Sequence, residues 1–179
     1  MVLVLSGPVH GGKTTFLERS LPLWADRGLS CSGFLSPAVA DANGEKGYDL
    51  VEIGTGRRWP YLRRQGNPGA ERIGPYVFVP GALARARSII RDAGPAGPLV
   101  VDEVGPLELG GGGVWTALRE ALASPGRTLL LVVREAILED FAVRLAPAVP
   151  RVFDVREPGV RERLEERLAG AIESHDDQS

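Results

Sequence analysis

Residues 7–14 constrain the fold of this chain more than any other stretch. They read Gly-Pro-Val-His-Gly-Gly-Lys-Thr, which fits the pattern G-x-x-x-x-G-K-[ST] at every fixed position. A short apolar run, residues 2–5, comes before them. A helical pattern of apolar residues begins at Phe16 and Leu17 and continues to Trp24. The stretch is therefore predicted to be a loop between a buried strand and a helix.

A loop of this composition is suited to binding phosphate. Its glycines let successive backbone N–H groups turn toward phosphate oxygens, and the N-terminus of the following helix adds unpaired N–H groups and the positive end of its dipole. Lys13 can reach the β- and γ-phosphates, and the Thr14 hydroxyl can ligate Mg²⁺. The predicted nucleotide contacts are Gly7, Pro8, Val9, His10, Gly11, Gly12, Lys13, Thr14 and Thr15. The side chain of His10 is expected to face solvent or to pack beside the loop.

The rest of the chain predicts an α/β fold. Short apolar runs alternate with amphipathic helical patterns, the runs being residues 2–5, 99–101 and 128–133. This alternation is typical of a mainly parallel sheet flanked by helices. We expect one domain over residues 1–173 and a disordered tail over residues 174–179.

Residues 31–64 have a different pattern from the rest. Short alternating segments are separated by turn residues, with Asn43-Gly44 as the strongest hairpin signal in the chain. We therefore expect a small antiparallel meander inserted into the sheet around residues 31–64.

Composition excludes several classes of protein. The chain has 179 residues, of which 44% are hydrophobic and 25% charged, and its net charge of −2 gives no reason to expect nucleic acid or an anionic membrane as a partner. The single cysteine, Cys31, excludes a disulfide within the chain and is expected to be a small buried residue on a strand. We find no secretory leader and no apolar run of about 18 residues, so the sequence predicts a cytoplasmic protein without a membrane span.

A second candidate site segment is the acidic pair Asp102-Glu103, which ends an apolar strand pattern. A carboxylate at the end of such a strand can hold a Mg²⁺ shell opposite Thr14, as a Walker B acid does. Because neighbouring side chains of a strand diverge, Glu103 can reach the water-filled side near the γ-phosphate and activate a water molecule. The metal ligands are thus predicted to be Thr14 and Asp102, and the catalytic residues Glu103 and Lys13.

The arginine that would complete the site is not settled by the sequence. Arg134, at the end of an apolar strand pattern, could approach the γ-phosphate, and so could Arg144 on a helix that moves. A protein partner could instead supply the arginine. The sequence contains no N-K-x-D run, which argues against a guanine-specific GTPase.

Five segments occur in an order and spacing that resemble one family. They are residues 7–15, Gly33-Phe34-Leu35-Ser36, Lys46-Gly47-Tyr48, Ile73-Gly74-Pro75-Tyr76 and Asp102-Glu103-Val104-Gly105-Pro106-Leu107-Glu108-Leu109. Over residues 1 to about 155 the chain resembles the small P-loop nucleoside triphosphatases of archaea, bacteria and animals, called cancer-related NTPases in animals. The combination of residues 102–109 with the predicted hairpin at Gly47-Tyr48 makes the resemblance specific.

This resemblance implies a RecA-like sheet and Mg²⁺-dependent hydrolysis of ATP, GTP, CTP and UTP with low base selectivity. It implies that Gly12, Lys13 and Thr14 contact phosphate and metal, that Asp102 is the Walker B acid and that Glu103 is the catalytic acid. Glu108 also matches the family pattern, and we expect it to pair structurally with an arginine.

The chain departs from the family at two places. The family usually has Arg-Gly-aromatic where this chain has Lys46-Gly47-Tyr48, and Gly-Val-Gly where it has Val9-His10-Gly11. We expect these changes to affect rate or substrate preference while leaving the phosphate contacts intact.

The leading hypothesis from the sequence is a nucleoside triphosphatase. A small kinase would use the same loop, with residues 31–73 as the acceptor site and Glu103 taking a hydroxyl proton. A nucleotide-switched binding module would use hydrolysis only to reset a surface for a protein partner. Phosphate release without an added acceptor distinguishes the triphosphatase hypothesis from the kinase hypothesis.

Overall fold

The computed structural model describes residues 1–40, 46–64, 66 and 71–176, with the side chains of Lys46 and of residues 172–176 outside that description. Over these ranges ten strands form one sheet, flanked by six helices. The strands are β1 (Val2–Gly7), β2 (Ser32–Leu35), β3 (Ala38–Ala40), β4 (Lys46–Glu52), β5 (Arg58–Arg63), β6 (Arg72–Ile73), β7 (Tyr76–Phe78), β8 (Leu99–Val104), β9 (Leu129–Arg134) and β10 (Arg151–Asp154). The helices are α1 (Lys13–Asp26), α2 (Ala82–Asp92), α3 (Pro106–Leu109), α4 (Trp115–Ala123), α5 (Leu138–Arg144) and α6 (Val160–Asp176).

Five neighbouring strands of the sheet are parallel. Their order is β10-β1-β9-β8-β2. Because parallel strands run in the same direction, their carboxyl ends lie at one edge of the sheet, where α/β proteins bind their ligands. The loop after β1 and the end of β8 therefore lie at the same edge, with β9 between them.

Helices cover both faces of this parallel part. On one face α1 and α6 bury residues such as Leu17 and Leu164, and on the other face α2, α4 and α5 bury residues such as Leu118 and Phe141. A strand buried on both faces needs apolar side chains at successive positions. This requirement explains why β1, β8 and β9 read as continuous apolar runs, and it confirms the predicted α/β class.

The antiparallel part of the sheet extends further along the chain than predicted. β2 pairs in parallel with β8, Ser32 being opposite Leu99, and so belongs to the parallel core. The antiparallel pairings begin where β2 meets β4 and continue through β3, β5, β7 and β6. The antiparallel strands therefore include the expected 31–64 but continue to Phe78, and β2 also pairs with the parallel core, because strand direction depends on the distant partner strand. Asn43-Gly44, the predicted hairpin turn, lies outside the described residues.

Gly33 allows the two parts of the sheet to join. A Cβ atom on Gly33 would lie 1.9 Å from the carbonyl oxygen of Val100 on β8, and the residue has a φ of +106°. Any side chain would force β2 away from β8. The glycine thus fixes a close approach between the strand that starts the antiparallel part and the strand that carries the acidic pair.

The C-terminal helix is longer than the sequence pattern indicated. α6 continues to Asp176, three residues into the segment expected to be a tail, and residues 177–179 lie outside the described residues. Among the residues that the structure describes, no helix has both the length and the apolar content needed to cross a bilayer.

Candidate active site

The loop after β1 wraps around the ammonium group of Lys13. Lys13 is 7% exposed, and its Nζ donates hydrogen bonds to the carbonyl oxygens of Gly7 at 3.1 Å and Pro8 at 2.7 Å. Burial lowers the pKa of Lys13, and the nearby charge of Glu103 opposes that shift. The loop therefore holds a cation at the first turn of α1, next to the backbone N–H groups that begin the helix.

Thr14 and Asp102 are brought together from positions 88 residues apart. The Thr14 hydroxyl donates a 2.8 Å hydrogen bond to Oδ2 of Asp102. Asp102 is 1% exposed and also accepts the backbone N–H of Ser36 at 3.0 Å. The predicted pair of metal ligands thus forms a direct contact across the edge of the sheet.

Burial raises the pKa of Asp102 to about 6, and the neighbouring charge of Glu103 adds to the shift. The hydrogen bonds from Ser36 and Thr14 oppose it by stabilising the carboxylate. A buried carboxylate of this kind is stabilised by a cation beside it.

A bulge in β8 directs Glu103. The register between β8 and β9 shifts between Val101 and Val104, and Glu103 has a φ of +62°. The backbone N–H of Glu103 donates to Oδ1 of Asp102 at 2.9 Å. The two side chains diverge, as expected, but they do so through a bulge with left-handed backbone and not through the regular alternation of a strand.

Arg134 lies between the loop and the acidic pair. It ends β9 and is in register with Gly7 of β1, while its neighbour Val133 is in register with Val104 of β8. Its Nη2 is 3.1 Å from Oε2 of Glu103, and both side chains are about one-third exposed. The side chain of Arg144, the other predicted candidate, stacks 4.1 Å from the centre of the Trp115 ring. Of the two arginines, the structure brings only Arg134 to the loop.

A cavity of about 410 Å³ lies beside these groups, and the buried Asp102 is not among its lining residues. It is lined by predicted residues of the loop and by Glu103 and Arg134. His10 is exposed at its rim, with a φ of 60°, in agreement with the expected solvent-facing position. Gly7 and Pro8 are not among its lining residues, since their carbonyl groups face the ammonium group of Lys13.

Six further residues line this cavity that the sequence pattern did not indicate as site residues. They are Glu18, Ser36, Pro37, Ala38, Tyr48 and Arg58. Ser36 and Tyr48 lie in segments that carry the family resemblance, which was the available signal. Arg58 begins β5, and its sequence neighbourhood carried no signal, because its approach to the loop depends on the pairing of β4 with β5.

The donor groups at this site fit a magnesium ion that arrives with a triphosphate. The hydroxyl of Ser36 is buried beside Asp102 and has no hydrogen-bond partner within the described chain. Hydroxyl and carboxylate oxygens are the ligand type that Mg²⁺ prefers. Over the same described ranges, no cluster of three or more His, Cys, Asp or Glu residues could hold a metal alone. The protein would therefore supply only some of the ligands of an ion here, and phosphate oxygens would supply others.

Glu108 has a structural position close to the site. It is 4% exposed, and its two oxygens accept the backbone N–H groups of Gly105 at 2.9 Å and Val114 at 3.1 Å. The expected pairing with an arginine is wrong, since backbone amides take that place. A Cβ atom on Gly113 would lie 1.9 Å from Oε1 of Glu108, so a side chain there would displace the Glu108 carboxylate. Glu108 thus ties the glycine loop before α4 to the end of β8.

A phosphate loop, an acidic pair on a nearby parallel strand and helices on both faces of the sheet define a class. The chain is a P-loop nucleoside triphosphatase. A family model described as NTPase matches residues 2–168, and the chain belongs to that family.

Named relatives agree with this assignment. The chain is 32% identical to the nucleoside-triphosphatase THEP1 of Hyperthermus butylicus over 149 residues, which cover 82% of this chain and 78% of the relative. It is also 32% identical to the cancer-related nucleoside-triphosphatase homolog of Bos taurus over 137 residues, covering 70% of this chain and 71% of that one.

Solved structures show the same fold. The solution structure of a human cancer-related nucleoside triphosphatase matches with a TM-score of 0.69 and 27% identity, covering 97% of each chain. The crystal structure of THEP1 from Aquifex aeolicus matches with a TM-score of 0.63, covering 94% of this chain and 99% of that one. At 16% identity, this second match supports the fold alone.

Proposed function

We propose that this protein is a Mg²⁺-dependent nucleoside triphosphatase of low base selectivity, with Lys13, Thr14, Asp102 and Glu103 as its working residues. The observation that carries the proposal is the Thr14–Asp102 hydrogen bond of 2.8 Å, with Glu103 beside it at the same cavity. Triphosphate hydrolysis needs positive charge around the γ-phosphate and a base for water, and this arrangement supplies both.

Hydrolysis transfers the γ-phosphoryl group to water. The water oxygen forms a bond to the γ-phosphorus, the bond to the β–γ bridging oxygen breaks, and the nucleoside diphosphate leaves. Glu103 takes the proton of the attacking water. Lys13 and the loop N–H groups stabilise the negative charge that develops on the phosphate oxygens.

Thr14 and Asp102, with Ser36 beside them, would hold the magnesium ion. When bound, such an ion neutralises charge on the phosphate oxygens and helps to orient them. The buried carboxylate of Asp102, already hydrogen-bonded to the Thr14 hydroxyl, keeps that hydroxyl aimed at the edge of the sheet.

Arg134 would serve as an internal positive charge for the reaction. In the structure its guanidinium is bonded to Glu103 at 3.1 Å. A triphosphate in the cavity would compete with Glu103 for this guanidinium. Once the guanidinium is released from Glu103, the carboxylate is able to accept a proton. We therefore favour Arg134 over Arg144 or a protein partner as the arginine of the site.

The central test replaces Glu103 with glutamine. Glu103→Gln keeps the size and shape of the side chain and removes its ability to take a proton, so we expect turnover to fall by at least ~10²-fold while triphosphate binding is retained. Phosphate release and nucleotide binding, measured separately, give the two quantities.

The matched control is Glu139→Gln, which makes the same chemical change at an exposed position in the first turn of α5. The control should hydrolyse ATP at the wild-type rate. Near-normal turnover of Glu103→Gln would give the role of base to another group.

Base selectivity is tested by competition among ATP, GTP, CTP and UTP. Loop amides and Lys13 contact phosphates that all four share, so we expect kcat/KM values within about tenfold of one another. A preference above ~10³ for one base would require hydrogen bonds that read the base, and would contradict low selectivity.

We also propose a cytoplasmic location. A chain with one cysteine cannot form a disulfide framework of its own, which favours a reducing compartment.

A further inference from the structure

A second chamber, of about 310 Å³, adjoins the cavity of about 410 Å³ beside the loop, which we call the phosphate cavity. Its walls are mainly aromatic and apolar, whereas the walls of the phosphate cavity are mainly polar loop residues. The side chains that characterise it are Tyr48, Tyr61, Ile73, Tyr76, Phe78 and Leu107. The hydrolysis step described above does not require such a chamber.

The aromatic rings are arranged in two edge-to-face pairs. Tyr48 and Tyr76 have ring centres 5.2 Å apart at 81°, and Tyr61 and Phe78 have ring centres 5.1 Å apart at 73°. Such pairs present both ring faces and ring edges to a planar aromatic molecule. Tyrosine hydroxyls are protonated at neutral pH, and burial raises the pKa of both Tyr48 and Tyr61 further.

The chamber meets the phosphate cavity at the reacting end. Glu103 and Arg134 line both spaces, together with Val9, His10 and Tyr48. If Glu103 serves the γ-phosphate as proposed above, on which this inference rests, a molecule in the chamber lies beside the γ-phosphorus with Glu103 between the two spaces.

We infer that the chamber is a phosphoryl-acceptor site for a small planar aromatic molecule that carries a hydroxyl group. The aromatic walls hold the ring, and the shared mouth directs the hydroxyl toward Glu103. With an acceptor bound, the protein acts as a phosphotransferase, and hydrolysis is the reaction with water in place of that acceptor.

The transfer step has the same balance as hydrolysis. The acceptor hydroxyl oxygen forms a bond to the γ-phosphorus, the bond to the β–γ bridging oxygen breaks, and the nucleoside diphosphate leaves. Glu103 takes the hydroxyl proton, and the product is a phosphomonoester of the acceptor. The reaction needs no oxidant or reductant.

In the test, the full chain is incubated with Mg²⁺ and ATP labelled at the γ-phosphate. Four compounds that combine an aromatic ring with a hydroxyl group are added in turn: adenosine, cytidine, pyridoxine and benzyl alcohol. Chromatography separates labelled phosphomonoester from labelled inorganic phosphate. We expect at least one compound to give labelled ester at ten times the rate seen with protein omitted. Ester from none of the four overturns the acceptor site, while labelled phosphate in those same reactions would leave the triphosphatase proposal standing.

A chamber-filling variant then locates the transfer. Ile73 lines the chamber but not the phosphate cavity, so with Ile73→Trp we expect transfer to fall at least tenfold and phosphate release to stay within threefold of wild type. Pro75→Trp, at an exposed position on the same chamber, repeats the test if Ile73→Trp does not fold.

The matched control is Arg57→Trp, on the exposed turn between β4 and β5 and outside both lining sets. It should keep both activities. Transfer that survives in the folded chamber variants would overturn the assignment of the acceptor to this chamber.

Discussion

Two residues at the site have a backbone conformation that side chains disfavour. Among the residues that the structure describes, His10 and Glu103 are the non-glycine residues with positive φ, at 60° and 62°. Left-handed backbone costs roughly 1–2 kcal/mol for such residues, and strain of this kind collects at functional sites. In Glu103 the strain has a visible result, since the bulge turns the carboxylate toward Arg134 while Asp102 stays buried against Thr14.

Cys31 gives a prediction at the same scale. Burial raises the pKa of its thiol to about 12 from an ordinary value of 9.0, so the reactive thiolate is scarce at pH 8. We expect iodoacetamide to alkylate Cys31 about 10²- to 10³-fold more slowly in the folded protein than in urea. Mass spectrometry over time measures the rate, and Cys31 is the single cysteine of the chain.

The direction of this effect follows from the sign of the pKa shift. Raising the pH from 8 to 10 should increase the alkylation rate of the folded protein continuously, while the rate for the unfolded chain levels off near pH 10. Equal alkylation rates in the folded and unfolded protein at pH 8 would mean that folding does not raise the pKa of the Cys31 thiol.

At the level of elements, the join between β2 and β8 determines where the acidic pair lies. Ser36, just beyond β2, donates to Asp102 on β8, and Gly33 lets the two strands approach. The antiparallel part of the sheet also supplies Tyr48 and Arg58 to the phosphate cavity. The position of β2 therefore couples the inserted strands to the nucleotide site.

Gly33→Ala tests this join. The added Cβ would meet the Val100 carbonyl at 1.9 Å in a left-handed backbone, so we expect the free energy of unfolding to fall by about 2–4 kcal/mol. Urea denaturation measures the change. Gly94→Ala is the control, since nothing described lies within 4 Å of its Cβ position. A Gly33→Ala protein as stable as wild type would show that the strands can separate without cost.

At the level of the whole molecule, nucleotide binding should stabilise the fold, because the site draws on β1, α1, β8 and β9 together. A ligand at 100 times its Kd adds about 2.7 kcal/mol to the free energy of unfolding. For a chain of this length, that corresponds to a rise in Tm of roughly 5–11 °C. We expect Mg²⁺-ATP to produce a shift of this size.

Lys13→Ala should abolish the shift, because the loop loses the cation that we propose contacts the β- and γ-phosphates. Differential scanning fluorimetry with and without Mg²⁺-ATP measures it. Arg19→Ala, which removes an exposed cation from the same helix, should keep the full shift. An unchanged shift in Lys13→Ala would remove the loop from the binding site.

The sequence was most informative where function depends on neighbours in the chain. The loop of residues 7–14 needs a strand before it and a helix after it, and the glycines, Lys13 and Thr14 all lie within eight consecutive residues. Asp102-Glu103 was likewise visible as an acidic pair after an apolar run. Such features are local, so their pattern can be read without knowing the fold.

The sequence was least informative where position depends on strand order. Nothing local shows that β9 lies between β1 and β8, and so nothing local decides between Arg134 and Arg144. The same reason explains why the antiparallel part continues beyond the expected 31–64, the missed Arg58 and the wrong partner for Glu108. Each of these features depends on which distant segment of backbone lies next to the residue concerned.

By itself, then, the sequence determined the α/β class, the phosphate loop and the acidic pair, since periodicity, glycine spacing and charge act over a few residues. The tertiary structure decided which arginine faces Glu103, how β2 is paired and that an aromatic chamber adjoins the phosphate cavity. These outcomes come from packing and hydrogen bonding between segments far apart in the chain, which no local pattern encodes.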